Sequence, residues 1–320
     1  MPDLPVLADS IENWEDFRSE LIRAARTATA YVGDAARMSF PRGVDEVERA
    51  VVRAHMVRLY KLLDGYVTLL EQGRRDVAPV LCRTMMEIII NLEYLLNGQN
   101  AARLSRAFVC RSADHLLKPL KYLQFQIVLP EDRENPSEED IEAVVGSIGP
   151  IIELGSTAAG MLQWAGLVGD GDLAEDYLAS DEAQAYLSDW PWSISGRVQT
   201  ETAQAIFNVW FSRYSLTTHP NWMTLESQDI WMGDGGSARL EDSIPEIEDL
   251  ADPPAWCIDT ALRFAALVDS GQSVQLRRDL IYLKDYFLGA VDLNRCEFER
   301  ALGECDLHED EDFPETEDEE

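Results

Sequence analysis

The stretch Thr84–Leu96, TMMEIIINLEYLL, decides the fold class of this chain. Wound as a helix, it is apolar nearly all round, which is typical of an element buried at the centre of a bundle. It contains Glu87 and Glu93, and it is shorter than the about 20 apolar residues that a helix needs to span a bilayer. It therefore predicts the central helix of a soluble bundle and no membrane-spanning segment.

On either side of this stretch, apolar residues recur with a period close to 3.6 over most of the chain, and the alternation typical of strands is nearly absent. The sequence therefore predicts an all-α, multi-helix bundle. Asp76 is expected to cap the central helix, and Asn97 with Gly98 to end it. The other helices are predicted at about 10–31, 45–71, 101–125, 138–167, 173–187, 199–217, 254–270 and 273–302.

Two helix ends and one loop are predicted in more detail. Asp9 or Ser10 is expected to cap the first helix, and Gly73 to end the second. The acidic residues 241–254 are interpreted as part of a long surface loop.

The predicted domain organisation is one helical body followed by a tail. Residues 1–303 form the body, with the acidic connector at 130–140 as its best internal boundary. Residues 304–320 hold eleven acidic side chains and no Lys or Arg, so this tail is expected to be disordered. Two roles stay open for the tail. It is a solubilising segment, or it mimics nucleic acid and occupies a cationic groove on this protein or on a protein partner.

Charge narrows the classes of partner. The chain has 27 Lys and Arg against 59 Asp and Glu, a net charge of −32, and without the tail the remainder still carries −21. Because an acidic surface repels phosphate backbones and anionic lipids, this charge counts against a general nucleic-acid or membrane binder. An RNA substrate would need a locally basic groove.

Cysteine and histidine usage predicts a reducing compartment and no metal site. The five cysteines are scattered without a Cys-x-x-Cys pair, and residues 1–10 do not resemble a secretory signal, so a cytoplasmic protein is expected. The four histidines form none of the paired arrangements that bind zinc or di-iron. No cofactor and no metal are predicted.

Arg83 and Glu87 are the most unusual polar pair, because they lie on the apolar central helix. Their i, i+4 spacing places both charges on one face, and Asn91 and Tyr94 extend that row. Two interpretations stay open. The residues form an internal ion pair that fixes helix register, or they form the polar floor of a pocket.

A second motif lies at the end of the predicted helix 199–217, where Arg213 is followed six residues later by His219 and then by Pro220. Proline stops the helix, so both side chains are expected near its C-terminal end. An imidazole that moves a proton and a guanidinium that holds a phosphate form a workable pair for phosphodiester cleavage. The alternative is a histidine that caps the helix and an arginine that faces solvent.

Five tryptophans crowd near this motif, and most of them are expected in the core. One or two of them are expected to line a pocket or an interface. They are Trp190, Trp192, Trp210, Trp222 and Trp231.

A resemblance rests on several short motifs between about residues 45 and 225. They are Arg83-x-x-x-Glu87, Trp192-Ser193, Arg197, and Tyr214-Ser215 followed by His219-Pro220. This set resembles a bacterial helical family known as domain of unknown function fifty-six seventy-seven. The Arg213-x5-His219 element is also similar to the signature of the HEPN superfamily, although Tyr214 follows the arginine where a small polar residue is commonest.

The HEPN resemblance implies a metal-independent endoribonuclease of a toxin or phage-defence system. It implies that Arg213 orients a phosphate, that His219 acts as general base or acid, and that the site forms across a homodimer interface. Arg83, Glu87, Tyr214 and Arg197 would line a polar network or pocket. The other hypothesis is a non-catalytic protein-interaction module with a buried network of Arg83, Glu87 and His219.

Overall fold

The computed structural model describes residues 4, 7, 11–74, 77–97, 100–124, 153–211, 230–231, 237–238, 247–268 and 273–309. These residues form an all-α fold, as predicted. The helices are α1 (Trp14–Arg37), α2 (Glu46–Glu71), α3 (Ala78–Asn97), α4 (Ala101–Gln124), α5 (described over 153–164), α6 (Ala174–Leu178), α7 (Asp181–Asp189), α8 (Glu201–Ala205), α9 (Ile247–Leu267) and α10 (Ser273–Glu309).

Three shorter elements complete the described chain. A 3-10 turn spans Ile194–Arg197, and a π-helical segment, Ile206–Phe211, continues α8. Ile230–Trp231 pairs antiparallel with Ser237–Ala238. None of the helices in the described ranges has the length and apolar character required to cross a membrane.

Single residues explain where α1 begins and where α2 ends. The Asn13 side chain accepts from the backbone N–H groups of Glu15 and Asp16, so α1 begins at Trp14. The predicted cap at Asp9 or Ser10 is therefore wrong, because Asn13 offers the same kind of acceptor closer to the helix. At the end of α2 the prediction is confirmed: Gly73 has φ of 74°, which only glycine adopts at little cost.

The chain divides into two compact units, and each interleaves distant segments. The first unit comprises residues 1–41, 55–89 and 204–320, and the second comprises 42–54 and 90–203. The boundary predicted at 130–140 lies outside the described residues, and the sequence on both sides of it belongs to the second unit.

In the first unit, α1 packs against α9 and α10. The face of α1 that is buried holds small side chains, among them Ala24, Ala25 and Ala28, which are fully shielded from solvent. A second close approach joins α1 to α2, because a side chain placed on Gly33 would meet the Tyr60 ring at 3.0 Å. Small residues therefore set the spacing of these helices.

Arg26 fixes α1 beside α2 with charged contacts. Its Nη2 lies 2.6 Å from a carboxylate oxygen of Glu71 and 2.9 Å from the Thr68 hydroxyl. A second carboxylate, from Asp64, contacts Nη1. The two carboxylates favour the charged guanidinium and raise the pKa of Arg26 above its ordinary value.

Helix α9 begins at Ile247, inside the stretch predicted as a loop, and continues through Pro253 and Pro254. A proline at position 253 has no N–H to donate to the carbonyl of Asp249, so the usual i, i+4 helical hydrogen bond cannot form there. The buried hydroxyl of Tyr66 donates to this carbonyl instead. The loop prediction is wrong here because a distant side chain replaces the missing helical hydrogen bond.

In the second unit, α4 packs against α6 and α7. Buried apolar side chains of α4 and α5 form one core with those of α6 and α7: Cys110, Ala113, Leu117, Ala158, Leu162, Ala174, Leu178, Ala183 and Leu187. This core supports one face of α4 and leaves the neighbouring face to line a pocket.

The last helix reaches further than predicted. Helix α10 ends at Glu309, so it includes the first residues of the segment 304–320 that the sequence assigns to the tail. Good helix formers such as Ala301 and Leu302 allow the helix to continue past the predicted end. Residues 310–320 lie outside the described chain.

Candidate functional site

Three of the predicted site residues, Arg213, Tyr214 and His219, lie outside the described residues. The other three, Arg83, Glu87 and Arg197, are described. Arg83 and Glu87 belong to the first unit and Arg197 to the second.

Arg83 and Glu87 form the ion pair that their spacing predicts. Nε of Arg83 lies 3.5 Å from a carboxylate oxygen of Glu87. The Arg83 side chain is 24% exposed and that of Glu87 is 37% exposed, so the pair keeps access to solvent. An ion pair in that position contributes little to stability, because water screens it.

The buried carboxylate of α3 is that of Glu93, which is not among the site residues predicted from the sequence. Glu93 is 1% exposed, and its Oε2 accepts from the side chains of Asn97 and Thr200, each at 3.2 Å. Two residues earlier, Asn91 has a buried side-chain oxygen with no hydrogen-bond partner in the described chain. The most deeply buried polar side-chain atoms of α3 therefore lie towards its C-terminal end.

Arg197 has a structural position that its sequence context did not reveal. It ends the 3-10 turn, is buried, and donates from Nη1 to the backbone oxygens of Pro191 and Trp192 at 2.6 and 3.3 Å. Its guanidinium also lies 5.5 Å from the centre of the Trp190 ring. The Arg197 side chain therefore holds the segment Trp190-Pro191-Trp192 through hydrogen bonds to the backbone oxygens of that segment.

A second arginine, Arg111 on α4, holds the same segment from the other side. Its Nη2 donates to the carbonyl of Trp190 at 3.2 Å and to that of Leu187 at 2.5 Å. Trp190 is buried and meets Tyr94 and Phe108 edge to face, with ring centres 5.3 and 5.2 Å away. The two arginines and three aromatic rings leave this turn little freedom to move.

Beside this turn lies a cavity of about 420 Å³, which we name the tryptophan pocket. Helix α4 provides most of its lining, α5 provides one residue, and the turn after α7 provides two tryptophans. The lining residues are Phe108, Arg111, Ser112, His115, Leu116, Met161, Trp190 and Trp192.

Trp192 is an exposed wall of the tryptophan pocket, with 54% of its surface accessible to solvent. The Nζ atom of Lys118 lies 3.4 Å from the centre of its ring, and the Arg111 guanidinium lies 5.5 Å away. His115 approaches the same ring at 5.5 Å with a tilt of 45°. Two cations and an imidazole therefore surround one exposed aromatic surface.

Only one carboxylate pairs with those two cations in the contacts that the described residues show. Asp114 lies 3.4 Å from Arg111 and 3.6 Å from Lys118. Two positive charges share one negative charge, so the mouth of the pocket has a local excess of positive charge in a chain whose net charge is −32. Such an excess favours a negatively charged ligand.

The first unit has a larger cleft, of about 650 Å³, in which two of the polar lining residues pair with each other. Glu248 accepts from the Asn294 amide at 2.9 Å, and Arg295 contacts Asp292 at 2.9 Å. Apolar side chains such as Trp14 and Phe298 line the rest. Its two arginines each pair with a different carboxylate, Arg18 with Glu15 at 4.0 Å and Arg295 with Asp292, whereas the two cations of the tryptophan pocket share one. The tryptophan pocket is therefore the better candidate for an anionic ligand.

Residues 49–237 match the sequence model described as "Family of unknown function (DUF5677)". The chain belongs to this family. The matched part includes the tryptophan pocket and all six site residues predicted from the sequence. Comparisons with curated proteins and with solved structures gave no match.

Trp190 and Trp192 line this pocket, which confirms the expectation that one or two of the tryptophans do so. The sequence did not lead us to group Arg111, His115 and Lys118 at one site, although they recur at i, i+4 and i+7 on a helix that was predicted correctly. That spacing puts all three on one face and was the signal available. Within the described residues, no cluster of His, Cys, Asp and Glu is arranged to hold a metal ion.

Proposed function

We propose that this protein is a HEPN-like, metal-independent endoribonuclease of the toxin or phage-defence type. The observation that carries the proposal is the Arg213-x5-His219 motif with Pro220 directly after it, inside the region that matches the family. The chemistry of the two residues supports the proposed role, because an imidazole moves protons and a guanidinium binds phosphate.

Metal-independent RNA cleavage needs a nucleophile that the substrate provides. In the proposed reaction, His219 removes the proton from the ribose 2′-hydroxyl, and that oxygen attacks the adjacent phosphorus. The bond from phosphorus to the 5′-oxygen breaks, and this oxygen takes up a proton. Arg213 binds the phosphate oxygens and stabilises the charge that develops on them. The products are a 2′,3′-cyclic phosphate and a 5′-hydroxyl.

The test incubates the full chain with mixed RNA in excess EDTA, beside Arg213→Ala and His219→Ala. Cleavage by the parent chain is expected, with a loss of about 100-fold or more in either variant, because His219→Ala removes a general acid–base group and Arg213→Ala removes a group that stabilises the developing charge. Arg37→Ala is the matched control, because Arg37 lies exposed on α1 and pairs only locally with Asp34. Persistent cleavage in His219→Ala would contradict the assignment.

The second candidate is a non-catalytic protein-interaction module, in which Arg83, Glu87 and His219 form a polar network. The 3.5 Å contact between Arg83 and Glu87 is the observation that favours it. No cleavage by any chain, together with a lower melting temperature in Arg83→Ala and His219→Ala, would support this module. The acidic tail would then be the first segment to test for a protein partner.

The HEPN-like proposal also includes a homodimer, because each chain would complete the site of the other. Sedimentation of the parent chain should then give twice the monomer mass. Mixing Arg213→Ala with His219→Ala chains should restore part of the lost cleavage if the two residues act from different chains.

A further inference from the structure

We infer that the tryptophan pocket binds a small, planar aromatic anion, in which a flat ring carries a phosphate or a carboxylate. This site is separate from the cleavage chemistry proposed above, because none of its lining residues takes part in it. The inference rests on the shape of the pocket, its aromatic wall and its unbalanced charge.

The walls of the pocket suit a flat ring. Phe108, Leu116 and Met161 give it apolar surface, and Trp192 presents an exposed aromatic ring at its mouth. Flat rings gain most from such a surface by stacking, since both partners bury a large area without distortion. A volume of about 420 Å³ accommodates one ring system with its substituent rather than a large ligand.

The charge of the pocket decides the substituent. Arg111 and Lys118 share the single carboxylate of Asp114, so an added anion would complete the pairing of the second cation. Lys118 is the better partner for this anion, because Arg111 already donates to two main-chain carbonyls. Arg111 and Lys118 would both repel a cationic ligand, and a neutral ligand would provide no negative charge to pair with Lys118.

The site is also held in shape before any ligand arrives. Arg197 and Arg111 fix the main chain of the Trp190-Pro191-Trp192 turn from two sides, as their hydrogen bonds show. Trp192 therefore keeps its position at the mouth without help from a ligand. A site that is already ordered loses little conformational entropy on binding.

The experiment measures binding to the full chain by isothermal titration calorimetry at low salt. The probes are adenosine 5′-monophosphate and 2-naphthoate, which carry a phosphate and a carboxylate on a flat ring. Adenosine and ribose 5-phosphate are the matched probes that lack the charge or the ring. At least one charged aromatic probe is expected to bind at least about tenfold more tightly than adenosine and ribose 5-phosphate, and the stronger one identifies the preferred anion.

Three variants locate the binding. Trp192→Ala is expected to raise the Kd about tenfold, Trp192→Phe to retain most of the affinity, and Lys118→Gln to raise the Kd about threefold. Trp164→Ala is the control, because Trp164 is similarly exposed, at 49%, but does not line the pocket. No binding of either charged aromatic probe at millimolar concentration would overturn the inference. Equal binding by Trp192→Ala and the parent would do so as well.

Discussion

Tyr66 performs a task that the backbone of α9 cannot. Pro253 deprives the carbonyl of Asp249 of its helical donor, and the Tyr66 hydroxyl on α2 takes the place of that donor. The ring is almost completely buried, and burial raises the pKa of Tyr66 well above its ordinary value. The neutral form of Tyr66, whose hydroxyl donates this hydrogen bond, is therefore the stable form.

We expect Tyr66→Phe to lower the free energy of unfolding by about 0.5–1.5 kcal/mol, because it removes the hydrogen bond from the buried Tyr66 hydroxyl to the backbone carbonyl of Asp249. Urea unfolding at neutral pH measures the change. Tyr282→Phe is the matched control, since Tyr282 is 40% exposed and its hydroxyl has access to water. Equal stabilities of Tyr66→Phe and the parent chain would show that the hydroxyl contributes nothing.

Asp45 both caps the N-terminus of α2 and links that end of the helix to α4. Its Oδ1 accepts from the N–H groups of Val47 and Glu48 at 3.0 and 3.1 Å. Both of its oxygens also contact the Arg106 guanidinium, at 3.1 and 3.0 Å. The hydrogen bonds from Arg106 lower the pKa of Asp45 below 3.8.

Asp45→Ala is expected to lower the free energy of unfolding by about 1–2 kcal/mol, as for loss of an N-cap. Asp45→Asn should cost less, because it keeps an acceptor for the backbone. The ion pair with Arg106 adds stability above pH 3.8 that is lost as the pH falls through the lowered pKa. Urea unfolding at pH 7 and at acidic pH measures both effects.

Asp34→Ala is the control for this prediction, because the exposed pair of Asp34 with Arg37 is screened by water. The Asp45 prediction fails if Asp34→Ala and Asp45→Ala destabilise the chain equally, or if the gap between Asp45→Asn and the parent does not narrow in acid.

The sequence predicts a helix end correctly where that end depends on residues in the same segment. Gly73 ends α2 because it alone adopts a positive φ easily, and the sequence contains that information. The start of α9 depends instead on Tyr66, which lies 183 residues from Asp249 along the chain. A pattern within one segment cannot report such a partner.

The same reasoning applies to the candidate site. The face of α4 with Arg111 and Lys118 follows from helical spacing, but its meeting with Trp192 does not. Arg197 is a candidate site residue because it belongs to the set of motifs that resembles the family. Only its contacts to main-chain oxygens show that it holds the turn.

For the whole molecule, the excess of negative charge opposes the compact state. The net charge is −32, and residues 310–320 contribute eight acidic side chains and no basic ones, so deletion of them leaves −24. Repulsion among like charges destabilises a folded chain, and salt screens it.

We expect the melting temperature of the full chain to rise more with salt than that of a chain ending at Glu309. The comparison uses about 20 and about 300 mM NaCl, a range over which the screening length falls severalfold. Scanning calorimetry of both chains measures it. An equal rise in melting temperature for the two chains would mean that the charge of residues 310–320 does not affect the stability of the folded helices.

The interleaved units have a consequence for protein synthesis. A ribosome releases the chain from its N-terminus, so α1 emerges long before its packing partners α9 and α10. Every residue of the second unit, 42–54 and 90–203, is made before those partners exist. The face of α1 that packs against α9 and α10 therefore stays uncovered until they are made, which makes the nascent chain a target for chaperones. A premature stop after residue 203 would leave that face uncovered for good and mark the product for proteolysis.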